Sequence, residues 1–208
     1  WSSDVCSSDL FATKCLHAGY SPKNGEPRVQ PIVQSTTYTY DSAEEIGKLF
    51  DLQAAGYFYT RLANPTTNAA EEKITALEGG VATMCTASGQ SAVFYAMLNI
   101  LEAGDHFISS SYVYGGSYNL FAHTFKKMGI EVTFVDQDLP LEELKKAIRP
   151  NTKAIFAETI ANPALRVLDI EKFAALAKAA EAPLLIDNTF ATPYFCRPIE
   201  FGANVVIH

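Results

Sequence analysis

From residue 81 onward the chain alternates short apolar runs with helix-patterned segments, and this alternation narrows the fold more than any other feature. The runs at 81–87, 106–109, 131–135, 153–157, 184–186 and 205–207 have the length and the β-branched or aromatic content of strands. Between them, Ser88-Gly89-Gln90 turns into a helix carrying Val93, Ala96, Met97 and Ile100. Further helices are predicted over about 117–128, 141–148 and 170–180. Such alternation makes βαβ units, so the expected fold class is α/β with a mostly parallel sheet flanked by helices. Ligands of these sheets bind beyond the carboxyl ends of the strands. Residues that directly follow each run are therefore the candidates for function.

The part before residue 81 is patterned differently. Residues 11–40 are rich in Pro, Gly and Thr, show no helical period, and are expected to be extended. Ser42 and Glu45 form a capping box that opens a helix to about Gln53. Asn64 caps a second helix and Pro65 takes its first position. Ile74 and Leu77 lie on the inner face of that helix, and Gly79-Gly80 ends it. The first ten residues are Ser/Asp-rich and repeat Ser-Ser-Asp, so they are set aside as a non-native tail. The chain stops at His208 within an expected strand, which is read as the mark of a fragment.

Composition sets outer bounds. A content of 48% hydrophobic and 19% charged residues permits a full core and argues against disorder. Sixteen Lys and Arg against 23 Asp and Glu give a net charge of -7, without the basic footprint of a nucleic-acid binder. No apolar run approaches the roughly 18 residues of a membrane span. The four cysteines show no C-x-x-C spacing, so no metal or redox motif is expected, and a cytoplasmic location is.

Five strand-end or loop features carry chemistry, each with a plainer alternative. Thr86-Ala87-Ser88-Gly89-Gln90 places a glycine where backbone amides open a helix, suited to an anion or merely to a tight turn. Tyr112, Tyr114 and Tyr118 surround Gly115-Gly116; they can cover a planar ligand or serve as ordinary core aromatics. Asn162 before Pro163 is held extended and offers an amide, or forms a turn. Asp187 follows Leu184-Leu185-Ile186 and is either a counter-charge for a protonated nitrogen or a turn cap. Tyr59 and Arg61 lie two apart, on one face of an extended segment, with a guanidinium fit for phosphate or simply solvated. Together these features suit a planar, phosphorylated, cationic heterocycle, and pyridoxal 5'-phosphate (PLP) fits them.

Five passages resemble the cysteine/methionine-metabolism family of PLP-dependent enzymes. They begin at Tyr59-Thr60-Arg61, Ala87-Ser88-Gly89-Gln90, Tyr114-Gly115-Gly116, Phe156-Ala157-Glu158 and Asp187-Asn188-Thr189. The Ala87-Ser88-Gly89-Gln90 passage and the run from Asn119 to His123 resemble its O-acetylhomoserine sulfhydrylase branch. The resemblance implies an aspartate-aminotransferase-like fold, PLP fold type I, incomplete at the C-terminus. It implies an arm at 11–60 that embraces a neighbouring subunit and a partial PLP-binding large domain at 61–208. Gly89 and Gln90 would hold the cofactor phosphate through their amides. Tyr114 would cover the ring and assist proton transfer, Asn162 would meet the ring oxygen, Asp187 the ring nitrogen, and Thr189 would lie nearby. Tyr59 and Arg61 would reach the phosphate of the neighbouring subunit, which implies a homodimer or homotetramer with a shared site.

The implied reaction is γ-replacement on O-acetylhomoserine by sulfide, giving homocysteine and acetate in methionine biosynthesis. Methionine or cystathionine γ-lyase and cystathionine γ-synthase of the same family are the alternatives. A non-catalytic doubly wound binding module is the alternative from another class. The family's Schiff-base lysine follows a His-Ser-x-Thr stretch, and this sequence stops at the histidine, His208. None of the 11 lysines matches that place, so the 208-residue chain is expected to be inactive alone.

Overall fold

The computed structural model describes residues 10–208; the tail expectation, Leu10 apart, lies outside them. The chain divides into two compact units that meet between Cys85 and Thr86.

In the first unit a helix, α1 (Phe11–His17), stands where an extended arm was expected. It buries none of its own residues, so the sequence held no apolar stripe to announce it. Two contacts fix it from outside: Lys73 Nζ donates to the Leu16 carbonyl at 3.3 Å, and Gly19 follows at φ 88°. A Cβ on Gly19 would sit 2.2 Å from the Ala69 carbonyl oxygen, so only glycine permits this approach. Residues 20–41 form no regular helix or ladder, apart from one isolated bridge between Thr37 and Tyr59. Helix α2 (Ala43–Phe50) is capped as expected, Ser42 Oγ accepting from the Glu45 amide at 3.2 Å. It ends at Phe50, earlier than expected, and Leu52 turns away at φ 56°. In α3 (Pro65–Glu78), Asn64 Oδ1 accepts from the Thr66 amide at 2.8 Å, Leu77 is buried, and Gly79 closes the helix in the left-handed region.

The expected strand at 81–87 does not form. A strand needs a neighbour for its amides and carbonyls, and no described residue pairs with this run. Val81 is fully exposed, and the Cys85 amide donates to the Glu71 carboxylate at 2.8 Å instead.

The second unit opens with α4 (Gly89–Leu98), β1 (His106–Ser110) and α5 (Gly115–Asn119). There follow β2 (Glu131–Val135), α6 (Leu141–Leu144), β3 (Thr152–Glu158) and α7 (Ile170–Ala179). The unit closes with β4 (Leu184–Asp187), α8 (Thr192–Phe195) and β5 (Val205–Ile207). All pairings are parallel, in the order β2-β1-β3-β4-β5. Helix α5 starts two residues earlier than predicted and runs on as a π-helix from Leu120 to Phe125. Helix α6 shortens to one turn and tightens into a 3-10 turn at Lys145–Ala147.

Alternation along the strands builds two cores. Ile108, Ile155, Leu184 and Ile186 face Phe173 and Leu176 of α7 on one side. Phe107, Phe156, Leu185 and Ile207 face Val93, Met97, Phe121 and Phe125 on the other. Because both faces are covered, the strands are apolar on both sides, which is why they appear in the sequence as unbroken runs. The Phe121 ring meets Phe107 and Phe156 edge-on, with centroids 5.0 Å apart in each case, and so pins the π-helical segment to the sheet. Among the described residues no helix is long and apolar enough to cross a membrane.

Candidate active site

The strand order places β2 and β3 on opposite sides of β1. After β1 the chain crosses to the face of α5; after β3 it crosses to the face of α7. The connections diverge there, leaving a crevice at the carboxyl edge between β1 and β3, where open parallel sheets take their ligands. A cavity of about 420 Å³ lies at this edge. Six of the eight predicted site residues line it: Gly89, Gln90, Tyr114, Asn162, Asp187 and Thr189. Glu158, Ile160, Phe190 and His208 complete the wall.

Each wall has a local cause. Ser88 caps α4: its Oγ accepts from the Ser91 amide at 3.1 Å and its carbonyl from the Ala92 amide at 3.0 Å. The amides of Gly89 and Gln90, the first two of the helix, are used by neither bond. The Gln90 side chain is turned aside, donating to Ser117 Oγ at 3.0 Å. A Cβ on Gly89 would come within 3.1 Å of the His208 carbonyl oxygen, a tight contact that glycine avoids where strand end and helix start approach.

Tyr114 precedes α5 and is half exposed. Its ring lies against Gly116, where a Cβ would meet the Tyr114 Cε1 at 2.6 Å. The other two tyrosines of the passage take the plainer role: Tyr118 stacks on Phe134 at 4.6 Å, and the Arg166 guanidinium sits 5.1 Å above Tyr112. Asp187 ends β4 and its Oδ1 accepts from the Thr189 amide at 2.9 Å. Asn162 is joined to Pro163 by a cis peptide bond.

Glu158 also lines the cavity, though it is not among the eight candidates read from the sequence. It ends β3 opposite Asp187 in register and is only 4% exposed. Its Oε1 accepts from the Tyr114 amide at 2.7 Å and its Oε2 from the Asn162 amide at 3.4 Å. Burial pushes its carboxyl up to about 7, the Tyr114 amide works against that, and the Asp187 charge adds to it. One signal was available: Glu158 is an acidic end to an otherwise apolar run, as Asp187 is. Ile160, Phe190 and His208 carried no comparable signal.

Tyr59 and Arg61 belong to the first unit. They do not share the face of an extended segment. The backbone turns, Leu62 donating to the Tyr59 carbonyl at 2.9 Å, and the Arg61 guanidinium sits 5.2 Å from the centroid of the Tyr59 ring.

The donor set of the cavity fits PLP. Two unused helix-start amides suit a phosphate, an aromatic ring lying against a glycine suits a planar ring, and a strand-end carboxylate suits a cationic nitrogen. Among the described residues, no group of three or more His, Cys, Asp or Glu is placed to hold a metal.

Known proteins give the same direction. A family model described as Cys/Met metabolism PLP-dependent enzyme matches residues 12–208. O-acetyl-L-homoserine sulfhydrylase of Leptospira meyeri is 47% identical over 197 residues, covering 94% of this chain and 44% of the relative. L-methionine gamma-lyase of Fusobacterium nucleatum subsp. polymorphum is 44% identical over 199 residues, covering 95% and 50%. A solved Campylobacter jejuni protein assigned as an O-acetylhomoserine (thiol)-lyase superposes with a TM-score of 0.89 at 37% identity, covering 96% of this chain and 49% of that one. That structure contains N'-pyridoxyl-lysine-5'-monophosphate. The chain spans about half the length of the curated relatives it matches.

Proposed function

Because this chain belongs to the PLP-dependent enzyme family of Cys/Met metabolism, with part of the type I PLP fold, we propose that it forms the cofactor-holding half of an O-acetylhomoserine sulfhydrylase. The observation that carries the cofactor reading is the single cavity walled by Gly89, Gln90, Tyr114, Asn162 and Asp187. The replacement reaction rests on the 47% identity to a sulfhydrylase.

When bound, PLP supplies a protonated pyridine ring that draws electrons from the carbon bearing the substrate's amino group. The chain's own residues make that ring effective. The amides of Gly89 and Gln90 bind the phosphate at the positive end of α4. Asp187 keeps the ring nitrogen charged, Asn162 orients the ring oxygen, and Thr189 lies beside the ring. Tyr114 covers the ring, excludes water from one face and moves a proton at its phenol oxygen. Tyr59 and Arg61 reach the phosphate bound by a second copy of the chain, which makes the site a property of a homodimer or homotetramer. A cytoplasmic place in methionine biosynthesis accompanies this reading.

The test uses the protein at the length of its relatives. O-acetylhomoserine with sulfide should yield homocysteine and acetate. The second reading, a γ-lyase, is favoured by the 44% identity to a methionine gamma-lyase. Ketobutyrate formed from methionine alone, without homocysteine from the acetyl substrate, would replace the first reading with the second. Mixed oligomers of Arg61→Ala and Asp187→Asn subunits test sharing: recovered activity supports it, and none removes it.

A further inference from the structure

The crevice between β1 and β3 exists because two connections part there, one to each face of the sheet. Parting loops are the least constrained walls of a cavity, and here they carry Tyr114 and Asn162. One buried side chain spans them. Glu158 accepts from the backbone of both, at 2.7 Å and 3.4 Å. No side chain caps the start of α5 at Tyr114, so this carboxylate fixes the helix entry from across the crevice. The Arg166–Tyr112 contact joins the same loops but lies on an exposed arginine, further along the chain from the cavity residues.

We propose that Glu158 is a positioning residue: its carboxylate ties the two diverging loops together and thereby sets Tyr114 and Asn162 at the spacing the cofactor ring requires. The inference rests on the PLP reading for its purpose, though not for its geometry. Residue chemistry explains why a glutamate is needed. An ionised carboxylate accepts through both oxygens, whereas a glutamine has a single acceptor oxygen and would turn its amide group toward one of the two donors. A carboxylate buried without an ion-pair partner is a cost that a merely structural position would avoid. No ion pair to Glu158 forms among the described residues, and Asp187 stands beside it with the same charge. Burial and that neighbour raise its carboxyl to about 7, while the Tyr114 and Asn162 amides pull the other way, as two donors to an ionised carboxylate do.

The experiment compares Glu158→Ala and Glu158→Gln with the parent at the length of the relatives, first free of cofactor. Amide exchange by mass spectrometry should be about tenfold faster at Tyr114 and Asn162 in the alanine variant, the scale of one hydrogen bond to a charged acceptor. Exchange in β1 and β4 should be unchanged. In the glutamine variant one of the two amides should stay protected and the other should not. PLP should dissociate several-fold faster from both variants, followed by its absorbance. Unchanged exchange at both amides overturns the proposal. If alanine loosens the whole sheet, the isosteric glutamine variant decides: both amides protected at parental rates also overturns it. Loosened loops in a protein that binds no PLP would keep the tie and remove the cofactor reading instead.

Discussion

The two edges of the same sheet are built on opposite terms. At the amino edge His106 begins β1 and is fully buried, its Nδ1 bonded to Thr152 Oγ1 and its Nε2 to Thr133 Oγ1, both at 2.8 Å. Arg149 pairs with Glu131 and its amide donates to the same Thr152 hydroxyl at 2.8 Å. The Asn151 side chain closes the turn by donating to the Gly104 carbonyl at 2.8 Å. At the carboxyl edge Glu158 and Asp187 stand side by side with like charge, and the first amides of α4 are left out of the helix's own bonds. Burial acts on both edges but in opposite senses, taking His106 down to about 4 and Glu158 up to about 7. Polar groups at the amino edge are matched within the fold; at the carboxyl edge two carboxylates stand side by side and two helix-start amides stay outside the helix's own bonds. Departures from internal satisfaction mark function when they cluster, as they do here.

The contrast is broken most directly by exchanging the penalties. Asp187→Asn should lower turnover of the full-length protein by roughly 10²–10³-fold, the scale of removing one preorganised charge. Its urea midpoint should hold, since the new Oδ1 still accepts from the Thr189 amide. A variant that keeps parental turnover would show that position 187 is an ordinary strand end.

His106→Ala is the counterpart. It takes one partner from the Thr152 and Thr133 hydroxyls, both of which Arg149 still holds, and opens a hole among three strands, a loss of about 3 kcal/mol in urea unfolding. PLP retention should not change. Loss of cofactor without loss of stability would mean that the edges are not separable.

What the sequence made legible follows the same division. Strands buried on both faces show as apolar runs, so β1 to β5 were legible, and residues after several of them line the cavity. The run at 81–87 has the same appearance but lacks a neighbour, and pairing is not a local property. Helix α1 was missed for the converse reason: it buries nothing, and contacts with α3 rather than a stripe hold it. Six cavity-lining residues could be named because a glycine turn, a tyrosine beside glycines and a strand-end carboxylate have local chemical meaning. Glu158 could not be separated from an ordinary strand end until the register set it beside Asp187 and the fold brought the Tyr114 amide to it.

Acidity sharpens the comparison further. An unfolded chain protonates His106 near 6.5 and the folded chain near 4, so between these values the unfolded state takes the extra proton and stability falls as pH falls. Glu158 protonates near 7 folded and near 4.5 unfolded, so the folded state takes that proton and stability rises as pH falls. From pH 6.5 to 4.5 the two contributions oppose each other. Glu158→Gln leaves the histidine contribution alone, and its stability relative to the parent should drop by about 1.4 kcal/mol per pH unit over that interval. His106→Asn should shift the other way. Urea titrations at pH 5 and 6.5 decide it; parallel profiles for the three proteins would remove the opposed titrations.

The smallest effect comes from a group that carries no charge. Gly116→Ala adds a methyl inside α5, where alanine is favoured over glycine by up to about 1 kcal/mol. That methyl would lie 2.6 Å from Cε1 and 3.0 Å from Cδ1 of Tyr114, and 3.3 Å from Cδ of Gln90. The tyrosine ring must swing away, and a swinging side chain costs the fold little because it is half exposed. Stability should therefore stay within about 1 kcal/mol of the parent, the helix gain offsetting the displacement. PLP retention should still fall several-fold, because the flat wall of the cavity has moved. A substitution that leaves or improves the fold while loosening the ligand is hard to obtain from a position serving stability. Parental retention in this variant would place the hold on the cofactor in the charges at 187 and the amides at 89 and 90, with the ring of Tyr114 a bystander.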